Sequence, residues 1–179
     1  DHLGWTHTFN PIDASDLYKL QLTDGGYAWN GDVRPFQTET KTLKVRREDG
    51  SVRTDTMLAR RSVHGPVVAQ QNGKALALRI AGFSEPGLFE QYWNMLGAEN
   101  RSEFENALRR LKMPMLNTVY ADEDGRILYH FGGRVPERNL GGWAYWQDVV
   151  PGDTSATLWT SVHPYEDLPR IADPPSGWV

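Results

Sequence analysis

Histidine, serine, aspartate and the ring side chains are the residues here with the means to do chemistry. The chain has five histidines, His2, His7, His64, His130 and His163, and no two have the spacing of a helical zinc motif. His7 and His130 fall in segments that read as strands, where a lone histidine is ordinarily a satisfied core or surface group. Serine and aspartate are plentiful, but there is no G-x-S-x-G nucleophile elbow, and spacing alone assembles no Ser-His-Asp set. Gly25-Gly26, Gly132-Gly133 and Gly141-Gly142 are pairs, not a phosphate-binding fingerprint. Asp13 and Asp16, with Asn10 nearby, could gather oxygens around a hard cation such as calcium. Asp and Asn also favour turns and helix caps, and on the residues alone the cap weighs more. A C-terminal series of rings, Trp143, Tyr145, Trp146, Trp159, Tyr165 and Trp178, could stack on sugars or line an apolar pocket. Their blander role, which weighs more, is to anchor an irregular segment.

The elements that would position these groups begin as β-structure. Leu3 to Phe9 reads as a strand, Leu17 to Leu22 opens another, and Asp24-Gly25-Gly26 turns the chain. Residues 37–48 and 51–62 flank Asp49-Gly50, which predicts a hairpin with a type I′ turn, both central residues at positive φ. Val67-Val68 and 74–80 flank Asn72-Gly73 as a second hairpin. Leu88, Phe89, Tyr92, Trp93 and Leu96 recur at helical spacing, with Ser84 and Pro86 as start and Gly97 as stop. A second helix follows on Phe104, Ala107, Leu108 and Leu111, with Ser102 and Glu105 at capping-box spacing, and Pro114 closes the pair. Strands at 115–121 and 126–131 join through Asp124-Gly125. From Gly132 onward the periodicity dissolves, and Pro164, Pro169, Pro174 and Pro175 argue against a helix. A tail of that length with little regular structure normally lies on another part of a larger protein.

Bulk properties narrow the function classes. With 179 residues, 39% hydrophobic and 23% charged, the chain can bury one core. The formal charge of −4, with basic residues scattered, excludes a nucleic-acid footprint. There is no cysteine, so disulfides, thiolate zinc sites and cysteine nucleophiles are excluded. No run of about 18 apolar residues exists to span a membrane. The first residue is Asp1 rather than methionine, which suggests processing, cloning or excision from a longer chain. Read without analogy, the sequence is a soluble, hairpin-rich α+β chain with no self-contained catalytic set.

Several stretches, in series, carry a resemblance. They are Gly4 to Asn10 (GWTHTFN), Asp13 to Leu20 (DASDLYKL), Asp24 to Tyr27 (DGGY), Val33 to Phe36 (VRPF), Ser62 to Val67 (SVHGPV), Asn117 to Asp122 (NTVYAD) with Asp124-Gly125, Val149 to Asp153 (VVPGD), and Leu168 to Val179 (LPRIADPPSGWV). Each alone is weak; together, in this order and over nearly the whole chain, they resemble the β-chain of the penicillin amidase family. These are N-terminal-nucleophile hydrolases that include penicillin acylases, glutaryl-cephalosporin acylases and acyl-homoserine-lactone acylases. GGY, VRPF and GLFEQYW point most to the glutaryl-cephalosporin branch.

The resemblance implies a fragment of the four-layer αββα fold, one partial domain over 1–179 with strands and hairpins at 1–80, a helix pair at 84–112, a hairpin at 115–131 and an irregular aromatic-rich tail at 132–179. It implies hydrolysis of the side-chain amide of a β-lactam or related N-acyl compound. The nucleophile would be a serine at a self-cleaved β-chain N-terminus. An oxyanion hole of one backbone N–H and an asparagine side chain would complete the site. Both the serine, upstream, and the asparagine, just beyond Val179, would fall outside this chain, which is therefore expected to be inactive by itself. Phe9 matches the backbone N–H donor of the oxyanion hole and would also face the acyl group. Leu116, with Asn117 after it, matches the acyl pocket. Asp13, the Ser15 carbonyl and Asp16 match calcium ligands of the penicillin-specific branch, a pair the glutaryl branch often lacks. No other cofactor is implied. The expected partners are the remainder of the parent α and β chains and a small N-acyl substrate, with neither nucleic acid nor membrane, and unpaired edges would favour a homo-oligomer of the fragment. Family members are usually periplasmic or secreted. The competing reading is a non-catalytic module that uses the tail aromatics to bind carbohydrate or an apolar ligand.

Overall fold

A computed structural model describes residues 2–179; Asp1, the non-methionine start noted above, lies outside the described residues. In chain order the strands are β1 Leu3–Phe9, β2 Ser15–Thr23, β3 Gly26–Trp29, β4 Asp32–Arg34, β5 Gln37–Arg46, β6 Val52–Arg61, β7 Val67–Gln71 and β8 Lys74–Ile80. Helices α1 Leu88–Leu96 and α2 Arg101–Leu108 follow, then β9 Leu116–Asp122 and β10 Ile127–Gly132. The last part holds a single-turn helix α3 Trp143–Trp146, β11 Val150–Pro151 and β12 Arg170–Ala172. Contacts gather the chain into two compact units, where the sequence suggested one partial domain. One unit joins the stretch up to Ala14 with Ile80–Glu137 and Thr160–Val179; the other joins Ser15–Arg79 with Arg138–Trp159. The supposed tail is thus divided, and each half completes a different unit.

The first unit is an antiparallel sheet in the order β1-β9-β10-β12. β1 and β9 pair from Leu3↔Asp122 to Phe9↔Leu116, and β9 pairs β10 from Ile127↔Ala121 to Gly132↔Leu116. Strand alternation puts Trp5, Thr118, Tyr120, Leu128 and His130 on one face. The two helices cover it: Met95, Phe104, Ala107 and Leu108 form one cluster with Tyr120, Leu128 and Tyr165. Rings set the spacing, with Phe104 4.8 Å from Tyr120 and 6.0 Å from Trp5. The opposite face, with Thr6, Thr8, Asn117, Val119, Tyr129 and Phe131, is exposed or half-buried. β12 lay in the segment read as irregular, and three residues are too few to show a period of two.

The second unit is a sheet in the order β4-β3-β2-β8-β7, with β11 added parallel to β2. β2 alternates cleanly, so that Asp16, Tyr18 and Leu20 are buried. Tyr27, Ala75 and Ala77 complete the apolar interior. Gly26 is obligatory, because a Cβ there would sit 2.0 Å from the Arg34 carbonyl oxygen. β5 and β6 pair in register from Gln37↔Arg61 to Arg46↔Val52 and form a separate two-stranded ribbon.

Two local expectations change. At Asp49-Gly50 only Gly50 has positive φ (82°), and its N–H bonds the Arg47 carbonyl at 3.0 Å. This is a type I turn ending in a left-handed glycine, not type I′, and Asp49 instead accepts from the Ser51 N–H and hydroxyl. Asn72-Gly73 does have both residues at positive φ (51° and 71°), as type I′ requires. The second helix is capped by Asn100, not Ser102: Asn100 Oδ1 accepts from the Glu103 N–H, and the Glu103 carboxylate reaches back to the Glu99 N–H. Among the described residues no helix is long and apolar enough to cross a membrane.

Candidate functional site

The end of β1 places Phe9. The Asn10 N–H bonds the Met115 carbonyl at 3.3 Å, and the Glu123 N–H bonds the His2 carbonyl at 2.9 Å. Both bonds fix the same parity of the β1–β9 ladder: the even residues of β1 exchange hydrogen bonds with β9. Phe9 is odd, so its N–H points away from β9, toward the side of β1 that has no strand neighbour among the described residues. Its ring is 84% exposed. Leu116 lies directly across from Phe9 and shares its face. Asn117 pairs with Thr8, so its side chain stands on the opposite face.

Asn117 nonetheless holds this strand end. Its amide nitrogen donates to Thr8 Oγ1 at 3.0 Å and weakly to the Phe9 carbonyl at 3.4 Å. Its oxygen accepts from the Tyr129 hydroxyl at 3.0 Å and from Asn10 Nδ2 at 3.3 Å. Asn10 is buried and also donates to the Gly132 carbonyl at 2.8 Å. The structure therefore brings Phe9, Leu116 and Asn117 together, with Asn117 acting on the backbone around Phe9. Sequence reasoning missed Thr8 and Tyr129, because their contacts span β1, β9 and β10 and leave no local spacing. His7 packs against Trp5 at 4.9 Å and Tyr92 at 5.7 Å, with Nδ1 3.1 Å from the Asn117 carbonyl. Burial pulls its pKa down.

The acidic residues belong to different units. Asp13 is half-buried in the first, while Ser15 and Asp16 open β2 in the second. The Asp16 side chain is wholly buried. Arg138 grips it with both arms of its fork, Nε to Oδ2 and Nη2 to Oδ1, each at 3.1 Å. Trp159 Nε1 donates to Oδ2 at 2.6 Å. A second guanidinium, Arg79, lies 4.4 Å over the Trp159 ring. Burial, and next the Asp16 charge, push the Tyr18 hydroxyl pKa well up. A hard dication needs six to eight oxygen ligands, as a rule several of them carboxylates. Here three N–H donors already occupy the two oxygens and a further cation sits close by, so the residues around Asp16 do not fit a divalent ion. Among the described residues no group of three His, Cys, Asp or Glu stands ready to hold a metal.

The remaining titratable candidates are interior groups. His64 stacks on Tyr18 at 3.8 Å and places Nε2 3.0 Å from the Gly152 carbonyl. His130 tilts against Tyr165 at 4.6 Å, and neither ring nitrogen has a hydrogen-bond partner. Burial lowers both pKa values to about 4. Of the tail aromatics, Trp146, Trp159 and Tyr165 are buried, Tyr145 is half-buried, and Trp143 and Trp178 are largely exposed. Most of that series anchors its own unit.

The sequence profile of one family, penicillin amidase, matches residues 1–179. The chain is 32% identical over 180 residues to a penicillin acylase 2 proenzyme from a Pseudomonas species, covering 97% of this chain and 22% of that protein. It is 29% identical over 177 residues to the acyl-homoserine lactone acylase PvdQ of Pseudomonas fluorescens, covering 88% of this chain and 23% of the relative. This chain thus spans less than a quarter of the length of these relatives. Among solved structures, a thermostable penicillin G acylase from Alcaligenes faecalis superposes with a TM-score of 0.84 at 24% identity, over 99% of this chain and 32% of that one. That likeness establishes the α+β fold expected from the sequence, as a portion of a larger one.

Proposed function

The chain belongs to the penicillin amidase family, and from that premise we propose that the protein carrying it is an acylase that hydrolyses the amide of a small N-acyl compound. The observation that carries this reading is the position of Phe9: a backbone N–H directed off an open strand edge, beside an exposed ring with Leu116 across from it. A donor aimed at the carbonyl oxygen of a scissile amide would stabilise the developing oxyanion. The Phe9 and Leu116 side chains would meet the acyl group, and the Asn117 network would hold the strand end in place. Within this proposal the nucleophilic serine and the second oxyanion donor come from other parts of the protein, so the 179 residues alone give no turnover.

The open edge of β1 and the half-exposed face bearing Asn117, Val119 and Phe131 are then surfaces for the rest of the same protein. The acyl group is that of a β-lactam side chain or of an N-acyl homoserine lactone; the relatives named above include an acylase of each kind. The test is a hydrolysis panel of phenylacetyl, glutaryl and long-chain acyl anilides, run with the full-length gene product and with the isolated chain. Turnover with an initial burst is expected from the first and none from the second. A full-length product that cleaves no N-acyl substrate of any chain length removes the proposal.

A further inference from the structure

Asp16 poses a physical problem that the sequence solves in an unexpected way. Its side chain is fully buried at the start of β2. A buried carboxylate is tolerated only where a cation and hydrogen bonds replace the lost water. The resemblance drawn from the sequence supplies calcium at this place, yet the donors around it are a guanidinium fork and an indole N–H. We propose that Arg138 takes the place of a divalent cation at Asp16, clamping the segment that begins at Arg138 to the start of β2 so that this junction forms without metal.

Three features support the exchange. The fork is bidentate, which suits a carboxylate and fixes its plane as well as its charge. The guanidinium also lies 5.2 Å over the Trp146 ring, so it is held on its second side by an aromatic face of the same segment. Finally, Arg79 over Trp159 brings a second cation to the neighbourhood, which would repel an incoming dication. A guanidinium is always protonated and cannot be chelated away. The junction should therefore be indifferent to metal chelators.

The indole of Trp159 touches Asp16, so a terbium ion bound there would be excited by tryptophan light. The full-length protein is titrated with terbium, and the luminescence that Asp16→Asn removes is the quantity read. The expected result is none in the unsubstituted protein. The melting temperature of Arg138→Ala should fall by about 3 °C, with or without a chelator, since one charge of a buried pair is left alone. Should Arg138→Ala not fold, Arg138→Lys, which keeps the charge and loses the fork, serves in its place with a smaller fall. Asp16-dependent luminescence in the unsubstituted protein overturns the proposal. So does a melting temperature within about 1 °C of the original in the Arg138 variant.

Discussion

The end of β1 and the start of β2 each carry a polar network, and the two networks do opposite things. Around Phe9 the amides of Asn10 and Asn117 bond backbone carbonyls and hydroxyls, and the strand end they hold keeps a ring and an N–H directed outward. Around Asp16 every donor turns inward on one carboxylate, which is left with no exposed surface. A network that fixes backbone can present a neighbouring group to a ligand. A network that neutralises a charge consumes the charge it contains. The acidic pair that the sequence offered as metal ligands thus reads, at Asp16, as structure, while Phe9, which has no polar side chain, is the residue to which the proposed function assigns chemistry.

Each unit also buries one histidine, and acid should act on both alike. Both pKa values lie near 4, below the ordinary 6.5 of the unfolded chain. As pH falls through 6.5 the unfolded chain takes up these protons first, so stability is whole above 6.5 and is lost down to about 4. Each histidine then contributes a loss of about 1.4 kcal/mol per pH unit inside that window, or about 2 kcal/mol by pH 5. Urea unfolding across this range should show the slope, and His64→Phe or His130→Phe should each remove about half of it. At pH 7 the His130 change should cost less, because His64 gives up a bond to Gly152 and His130 gives up none. Equal slopes in all three proteins would break the assignment.

Next in size is Trp159→Phe, which keeps a ring in the second unit and deletes the N–H on Asp16. A hydrogen bond to a buried charge is worth about 2 kcal/mol, and denaturant midpoints should report that loss with turnover per folded molecule unchanged. Asn117→Ala acts on the other network. Its contacts are exposed or half-buried and neutral, so the expected destabilisation is about 1 kcal/mol, but turnover should fall because the strand end at Phe9 loosens. If Trp159→Phe slowed turnover while Asn117→Ala left it alone, the roles given to the two networks would be reversed.

Much of the first unit could be read from the sequence, because its signals are local: the alternation of β9 and β10, the period of α1, the stop at Gly97. One turn and one cap were misplaced by chemistry that several residues share. Asp-Gly serves a type I turn as well as type I′, and Asn100 outcompeted Ser102 because Glu103 stands three residues after it. The tail was opaque for another reason. β11 and β12 are two and three residues long and exist only through partners far back in the chain, Tyr18 for Val150 and Tyr129 for Ile171. Arg138 was invisible for the same cause: nothing near it in sequence says that its partner is Asp16.

Phe9 itself gives the smallest effect on stability and the most selective one on function. With 84% of its surface exposed, the ring buries little, so Phe9→Ala should change the unfolding free energy by no more than about 0.5 kcal/mol. The backbone N–H survives the change, because alanine keeps both the donor and the strand geometry. Loss of the ring should therefore alter which acyl chain is preferred rather than whether an amide is cleaved. Ratios of kcat/KM for phenylacetyl, glutaryl and long-chain substrates, measured in the full-length protein, should shift by roughly tenfold, the worth of a methylene or two in an apolar pocket. Unchanged ratios with a fall in kcat for every substrate would mean that the ring orders the strand end and does not meet the acyl group. The contrast drawn between the two networks would then rest on the N–H alone.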